Sequence, residues 1–118
     1  MAVHVGVLQM MLEVPGARSA KDRRRALKSL QDRVRHRFDI TWNEVQDVDG
    51  EHDRRRVVCT SATSDPQVLR STFDKVRAFV EQSGRAWPLE VDVDVFPWHP
   101  LEQRWQESTS PALEDGHE

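Results

Sequence analysis

A strongly basic segment is the feature of this sequence with the clearest chemical potential. Nine bases and only two acids, Asp22 and Asp32, lie between Arg18 and Arg37. Arginine and lysine side chains in such a run can donate charge-assisted hydrogen bonds to phosphate oxygens, and their binding releases counterions from a nucleic acid. The segment therefore indicates either a phosphate-binding surface or a solvated helix face that neighbouring acids partly neutralise.

The residue types that usually carry catalysis or hold metals are dispersed along the chain. The five histidines and the single cysteine, Cys59, show no metal-ligand spacing. Cys59 lies in a β-prone run, where a free cysteine is more often a small buried apolar group than a nucleophile. Glu90, Asp92 and Asp94 alternate with apolar residues, which places them on the solvent side of a strand. We therefore predict a non-enzymatic protein with no catalytic residue, no metal and no cofactor.

The first half of the sequence predicts a strand and a basic helix. Residues 2–13 are apolar and end at a Pro-Gly turn, so we interpret them as a mostly buried strand. Ser19 is typical of a helix N-cap. A stripe at helical spacing follows it, consisting of Leu27, Leu30, Val34 and Phe38. Opposite this stripe the helix would present Lys21, Arg24, Arg25, Lys28 and Arg35.

The second half predicts a hairpin, a helix and a last strand. Residues 40–48 and 54–63 are β-prone and flank an acidic stretch. Asp65-Pro66 is typical of a helix start and Gly84 of a helix end. Residues 89–95 alternate between apolar and acidic side chains, and we expect that strand to end at Pro97. This order predicts a ferredoxin-like βαββαβ α+β sandwich, with two helices on one face of a four-stranded antiparallel sheet.

Length and composition limit the class of protein. The 118 residues suffice for one domain, and the net charge of −3 means that any basic site is local. One cysteine excludes an internal disulfide framework and suits the cytoplasm, while no apolar run reaches the roughly 20 residues of a membrane span. We expect a ferredoxin-like domain over residues 1–98 and an acidic tail, at least partly disordered, over residues 99–118.

The strand and loop residues leave two alternatives open. If Leu8, Met10 and Leu12 face the helices, the open side of the sheet carries an apolar patch of Val5, Val7 and Met11. Such a patch commonly marks a protein interface, here a homodimer through sheet faces or edges. The other alternative is a small phosphate-handling enzyme similar to acylphosphatase, which has this chain order. Arg18 lies in a comparable loop, but the only asparagine, Asn43, lies in the second strand rather than the third.

The N-terminal half resembles a known family. The run PGARSAKDRRRALKSLQDRVRHRF, followed by ITWNEV, is similar to the YlxP-like family of small bacterial proteins of unknown function. The matching positions are Leu12, Pro15, Ser19, Lys21, Arg23, Arg24, Lys28, Ser29, Leu30, Arg33, Arg37, Phe38, Glu44 and Val45. The resemblance implies a ferredoxin-like fold and a cytoplasmic location. It also implies a link to translation, because members are often encoded beside translation initiation and ribosome-maturation factors.

The charge pattern and the resemblance together predict an accessory protein that contacts structured RNA, ribosomal RNA included. No contact with a membrane is predicted. The contacts would be to phosphates and would read charge and shape rather than base identity. The candidate contact residues are Arg18, Lys21, Arg24, Arg25, Lys28 and Arg35. The sequence leaves open whether this basic surface binds RNA or is only solvated.

Overall fold

The computed structural model describes residues 2–16, 18–45 and 54–99. The elements are β1 (Val3–Glu13), α1 (Ala20–Arg37), β2 (Asn43–Val45), β3 (Arg54–Thr63), α2 (Pro66–Ser83) and β4 (Trp87–Trp98). All strand pairs are antiparallel, and the order across the sheet is β2-β3-β1-β4. Side chains from both helices share one core with the sheet. The predicted ferredoxin-like α+β sandwich is confirmed.

The core lies between one face of the sheet and the two helices. On β1, Leu8, Met10 and Leu12 are fully buried, and the residues that alternate with them from Val5 to Glu13 are half-buried. Leu8 pairs with Cys59 of β3, which places both side chains on the helix side. The strand is therefore mostly buried, as predicted. Neither helix of the described residues is long and apolar enough to cross a membrane.

Both helices begin at the predicted caps. The Ser19 hydroxyl accepts a hydrogen bond from the backbone N–H of Asp22 at 3.1 Å. The Asp65 carboxylate accepts one from the backbone N–H of Gln67 at 2.9 Å. Each cap gives a partner to an N–H group that the helix itself leaves without one. At its other end α2 stops at Gly84, whose φ of 72° lies in the left-handed region.

The predicted ends of two strands differ from the structure. The expectation that Pro97 ends the last strand is wrong, since β4 continues to Trp98 and Pro97 pairs with His4. The strand can include a proline because β4 is an edge strand, where one side of the ladder needs no donor. The strand predicted over residues 40–48 is described as β2 over Asn43–Val45 only. Residues 46–53 lie outside the described residues.

The predicted tail falls almost entirely outside the described part of the chain. Of residues 99–118 the structure describes only His99, which is exposed. The expectation that this acidic segment is at least partly disordered stays a prediction.

Candidate nucleic-acid interface

The basic helix α1 is amphipathic in the structure as well as in the sequence. Its buried side consists of Leu27, Leu30 and Val34, together with Arg23. Lys21, Arg24, Arg25, Lys28 and Arg35 are all exposed. We name these five residues the basic stripe. Lys21, the adjacent pair Arg24 and Arg25, and Lys28 follow one another at about one helical turn, and Arg35 lies two turns after Lys28. From Lys21 to Arg35 the stripe extends about 21 Å along the helix axis.

The N-terminal part of the basic stripe lines an open depression on the helix surface. The lining residues are Lys21, Arg24, Arg25, Lys28, Ser29 and Asp32. Four positive side chains therefore border one shallow, open area. Such an area can accept an anionic group from outside without removing apolar packing.

One acid lies within this area. The Lys28 ammonium is 3.2 Å from a carboxylate oxygen of Asp32, one turn further along α1, and both side chains are well exposed. Exposed ion pairs of this kind contribute at most about 1 kcal/mol and are weakened by salt. A phosphate could therefore replace the Asp32 carboxylate at Lys28 at little cost.

Arg18, the remaining candidate, lies just before the helix and is exposed. Its backbone N–H donates to the Asp22 carboxylate at 3.2 Å. The same carboxylate belongs to the first helical turn, where negative charge is favoured by the helix dipole. The Asp22 carboxylate therefore already occupies the N-terminus of α1. A ligand in this region would contact the side chains of Arg18 and Lys21 rather than the backbone N–H of Arg18.

Two of the nine bases contact protein groups rather than lying on the basic stripe: Arg23 is buried, and Arg37 is exposed but packs beside two aromatic rings. Arg23 is buried with 8% of its surface exposed, and no hydrogen-bond partner is described for its Nε. The Arg37 guanidinium lies 5.8 Å from the ring centre of Phe38 and 5.5 Å from that of Phe79, which are attractive cation–π distances. The position of Arg23 four residues before Leu27, on the apolar side of the helix, was the sequence signal for its burial.

Cys59 and the acids of β4, the groups that could have supported enzymatic chemistry, lie on opposite faces of the sheet. Cys59 is fully buried, and the loss of solvation raises the pKa of its thiol to about 12, so the thiol stays protonated and unreactive. Glu90, Asp92 and Asp94 are exposed on β4. Among residues 2–16, 18–45 and 54–99 there is no group of three or more side chains arranged to hold a metal ion.

The three candidate interface residues lie on the face of the sheet away from the helices. Val5, Val7 and Met11 are half-buried and alternate along β1 with residues that face the helices. They therefore share the face of the sheet that neither helix covers, as the alternation predicted. The basic stripe and this apolar set are on opposite sides of the domain.

A family described as "Protein of unknown function (DUF503)" matches residues 5–93. The chain belongs to this family. The matched range begins in β1 and ends in β4, so the match includes residues of all six elements. A comparison with curated proteins gives no match.

Several solved structures resemble this DUF503 domain at very low sequence identity. The de novo designed protein Foldit4 is 10% identical, with a TM-score of 0.51 over 82% of this chain and 99% of that one. The structural genomics protein YJCS is 9% identical, with a TM-score of 0.46 over 76% and 96%. A putative antibiotic biosynthesis monooxygenase from Nitrosomonas europaea is 12% identical, with a TM-score of 0.38 over 84% and 90%. At these identities the likeness concerns the fold alone.

Proposed function

We propose that this DUF503 protein is a YlxP-like, non-enzymatic accessory factor of translation that binds the phosphate backbone of structured RNA in the cytoplasm. The observation that carries the proposal is the exposed basic stripe of α1, where Lys21, Arg24, Arg25 and Lys28 border one open depression. Arg35 extends the stripe towards the end of the helix, and Arg18 adds a cation before its start.

The charge distribution favours a local anionic partner over general solubility. The whole chain has a net charge of −3, yet the segment from Arg18 to Arg37 has nine bases against two acids. Such polarisation orients the molecule towards a polyanion during diffusional encounter. A solvated face with no partner would not require this segregation of charge.

Phosphate contact suits a stripe made of arginine and lysine alone, with no aromatic side chain on which a base could stack. Most hydrogen bonds between proteins and nucleic acids go to phosphate and sugar, and these bonds position the partner without reading its sequence. Double-stranded RNA is recognised in this way, through shape and backbone. A straight stripe of about 21 Å, held on a rigid helix, suits a regular backbone better than splayed single-stranded bases.

The proposal is tested by measuring how salt changes the affinity of the full chain for structured RNA. A labelled RNA hairpin and ribosomal subunits are titrated with the wild type and with the triple variant Arg24→Gln/Lys28→Gln/Arg35→Gln. Each phosphate contact contributes roughly 0.7 to 0.9 to the slope of log K against log salt concentration. We expect the variant to reduce the slope by about two and to weaken binding at low salt at least tenfold.

A matched control removes the same charge from the other helix. The variant Arg70→Gln/Lys75→Gln/Arg77→Gln neutralises three exposed bases of α2 and should bind like the wild type. Equal losses in the two triple variants would mean that only net charge matters. An unchanged affinity in the α1 variant, or no binding by the wild type at low salt, would overturn the proposal.

A further inference from the structure

The face of the sheet opposite the helices carries opposite charges along its two sides. Strand register places the side chains of this open face in rows that run from β3 across β1 to β4. The rows are Arg56–Met11–Glu90, Val58–Gln9–Asp92, Thr60–Val7–Asp94 and Ala62–Val5–Phe96. The β3 side thus has an arginine, the β4 side has three acids, and the central strand is mainly apolar.

The same face has a separate chemical character at each end. Arg56, Gln9, Met11, Glu90 and Asp92 line a common depression at one end. At the other end Val5, Val7 and Phe96 are half-buried, and Asp94 lies at the β4 margin beside Val7. An apolar centre with charges at its margins is the arrangement of a protein interface.

We propose that a second copy of this chain packs face to face on the open face, about a two-fold axis parallel to β1. Such an axis places β3 of one copy opposite β4 of the other. Each residue keeps its position along the strand direction, so residues of the same row face each other. Arg56 and Glu90 occupy the same row, so Arg56 of each copy lies opposite Glu90 of the other. Val5, Val7 and Met11 lie along the axis and meet their own equivalents.

Charge complementarity selects this arrangement among the symmetric ones. A two-fold axis perpendicular to the strands would bring the acids of β4 onto the same acids of the second copy. Antiparallel pairing of the two β4 edges about Asp92 would place Asp92 beside Asp92 and Glu90 beside Asp94. Like charges directly opposite each other destabilise a pair of strands, so both alternatives are disfavoured.

The area of the open face is sufficient for a reversible dimer. β1 has 11 residues, which span about 36 Å, and three strands cover a width of about 14 Å. The footprint is therefore on the order of 500 Å² per copy and about 1,000 Å² in total, at the lower limit of specific interfaces. This dimer would also leave the basic stripe exposed, because α1 lies on the opposite side of the sheet. Its test is therefore independent of RNA binding.

Sedimentation equilibrium of the full chain, from low to high micromolar concentration, tests the proposal. The wild type should show a monomer–dimer equilibrium. The single variants Arg56→Glu and Glu90→Arg each convert two attractive contacts per dimer into two repulsive ones. We expect each to raise the dimer dissociation constant at least about tenfold. Arg70→Glu and Asp74→Arg make the same charge changes on the exposed side of α2 and should leave the dimer dissociation constant unchanged.

Two rescue measurements test the direction of the axis. An equimolar mixture of the Arg56→Glu and Glu90→Arg proteins restores an arginine opposite a glutamate at both contacts, so the mixture should dimerise more tightly than either protein alone. The double variant Arg56→Glu/Glu90→Arg should also dimerise. Thermal unfolding checks that each variant folds. Val7→Lys is a second, independent variant that should weaken the dimer, because it places two lysines next to each other on the axis.

Three outcomes would overturn the proposal. One is a wild type that is monomeric at high micromolar concentration, which would leave the face to a different partner or to solvent. A second is a dimer that neither the single charge reversals nor Val7→Lys weaken. The third is failure of both rescue measurements with folded variants, which would exclude the axis parallel to β1.

Discussion

A methyl group added at Gly6 would test how closely α2 packs on the sheet. Gly6 is a buried residue of β1 on the helix side. A Cβ atom at this position would lie 2.6 Å from Cε2 and 3.0 Å from Cζ of Phe73, and 3.4 Å from a methyl carbon of Leu69. Phe73 and Leu69 are each only 1% exposed, so neither side chain has solvent into which it could move. Gly6→Ala therefore forces α2 and the sheet apart or moves the Phe73 ring from its rotamer.

The expected cost follows from two opposing effects. Overpacking a dense core costs about 1 to 3 kcal/mol. Replacement of a strand glycine by alanine returns about 0.5 to 1 kcal/mol, because the unfolded chain loses conformational freedom. Taking the midpoints of the two ranges, the free energy of unfolding should fall by about 1 to 1.5 kcal/mol. For a domain of this size that corresponds to a fall in Tm of roughly 4 to 10 °C.

A double-mutant cycle isolates the contact. Urea unfolding is measured for the wild type, Gly6→Ala, Phe73→Leu and the double variant. Phe73→Leu alone should be destabilising because it leaves unfilled volume in the core. In the double variant the new methyl group enters part of that volume. The loss of unfolding free energy in the double variant should therefore be smaller than the sum of the two single losses by at least about 0.5 kcal/mol. A neutral or stabilising Gly6→Ala, or strict additivity, would refute the packing described for Gly6 and Phe73.

Two further predictions concern Cys59 and Asp65. Burial raises the pKa of the Cys59 thiol from its ordinary value of 9.0 to about 12, so above pH 9 the unfolded chain releases a proton that the folded chain keeps. The free energy of unfolding should therefore fall by up to about 1.4 kcal/mol per pH unit between pH 9 and 12, relative to a Cys59→Ala variant measured in parallel. Equal slopes in the two proteins would contradict this. Asp65→Ala should cost about 1 kcal/mol in urea unfolding because it removes the N-cap of α2, whereas Asp65→Ser should retain most of the stability. A loss as large for serine as for alanine would show that the cap is not responsible.

Local patterns in the sequence were enough to predict the elements and their order. The stripe of Leu69, Phe73, Val76 and Val80 with the Asp65 cap identified α2, and the structure buries all four side chains. Capping and helical periodicity act within a few residues, so they can be read without knowledge of the rest of the chain. The exposed bases of α1 followed from the same periodicity.

Other features depended on which strands become neighbours. Pro97 can lie within β4 only because β4 is at the edge of the sheet, and Arg37 meets Phe79 only because α1 and α2 pack side by side. The row that joins Arg56, Met11 and Glu90 combines three strands from distant parts of the chain. Local sequence patterns were therefore enough to predict the amphipathic elements and the location of the positive charge. Which charges share a face depends on the folded sheet, because strand register comes from pairing between distant parts of the chain.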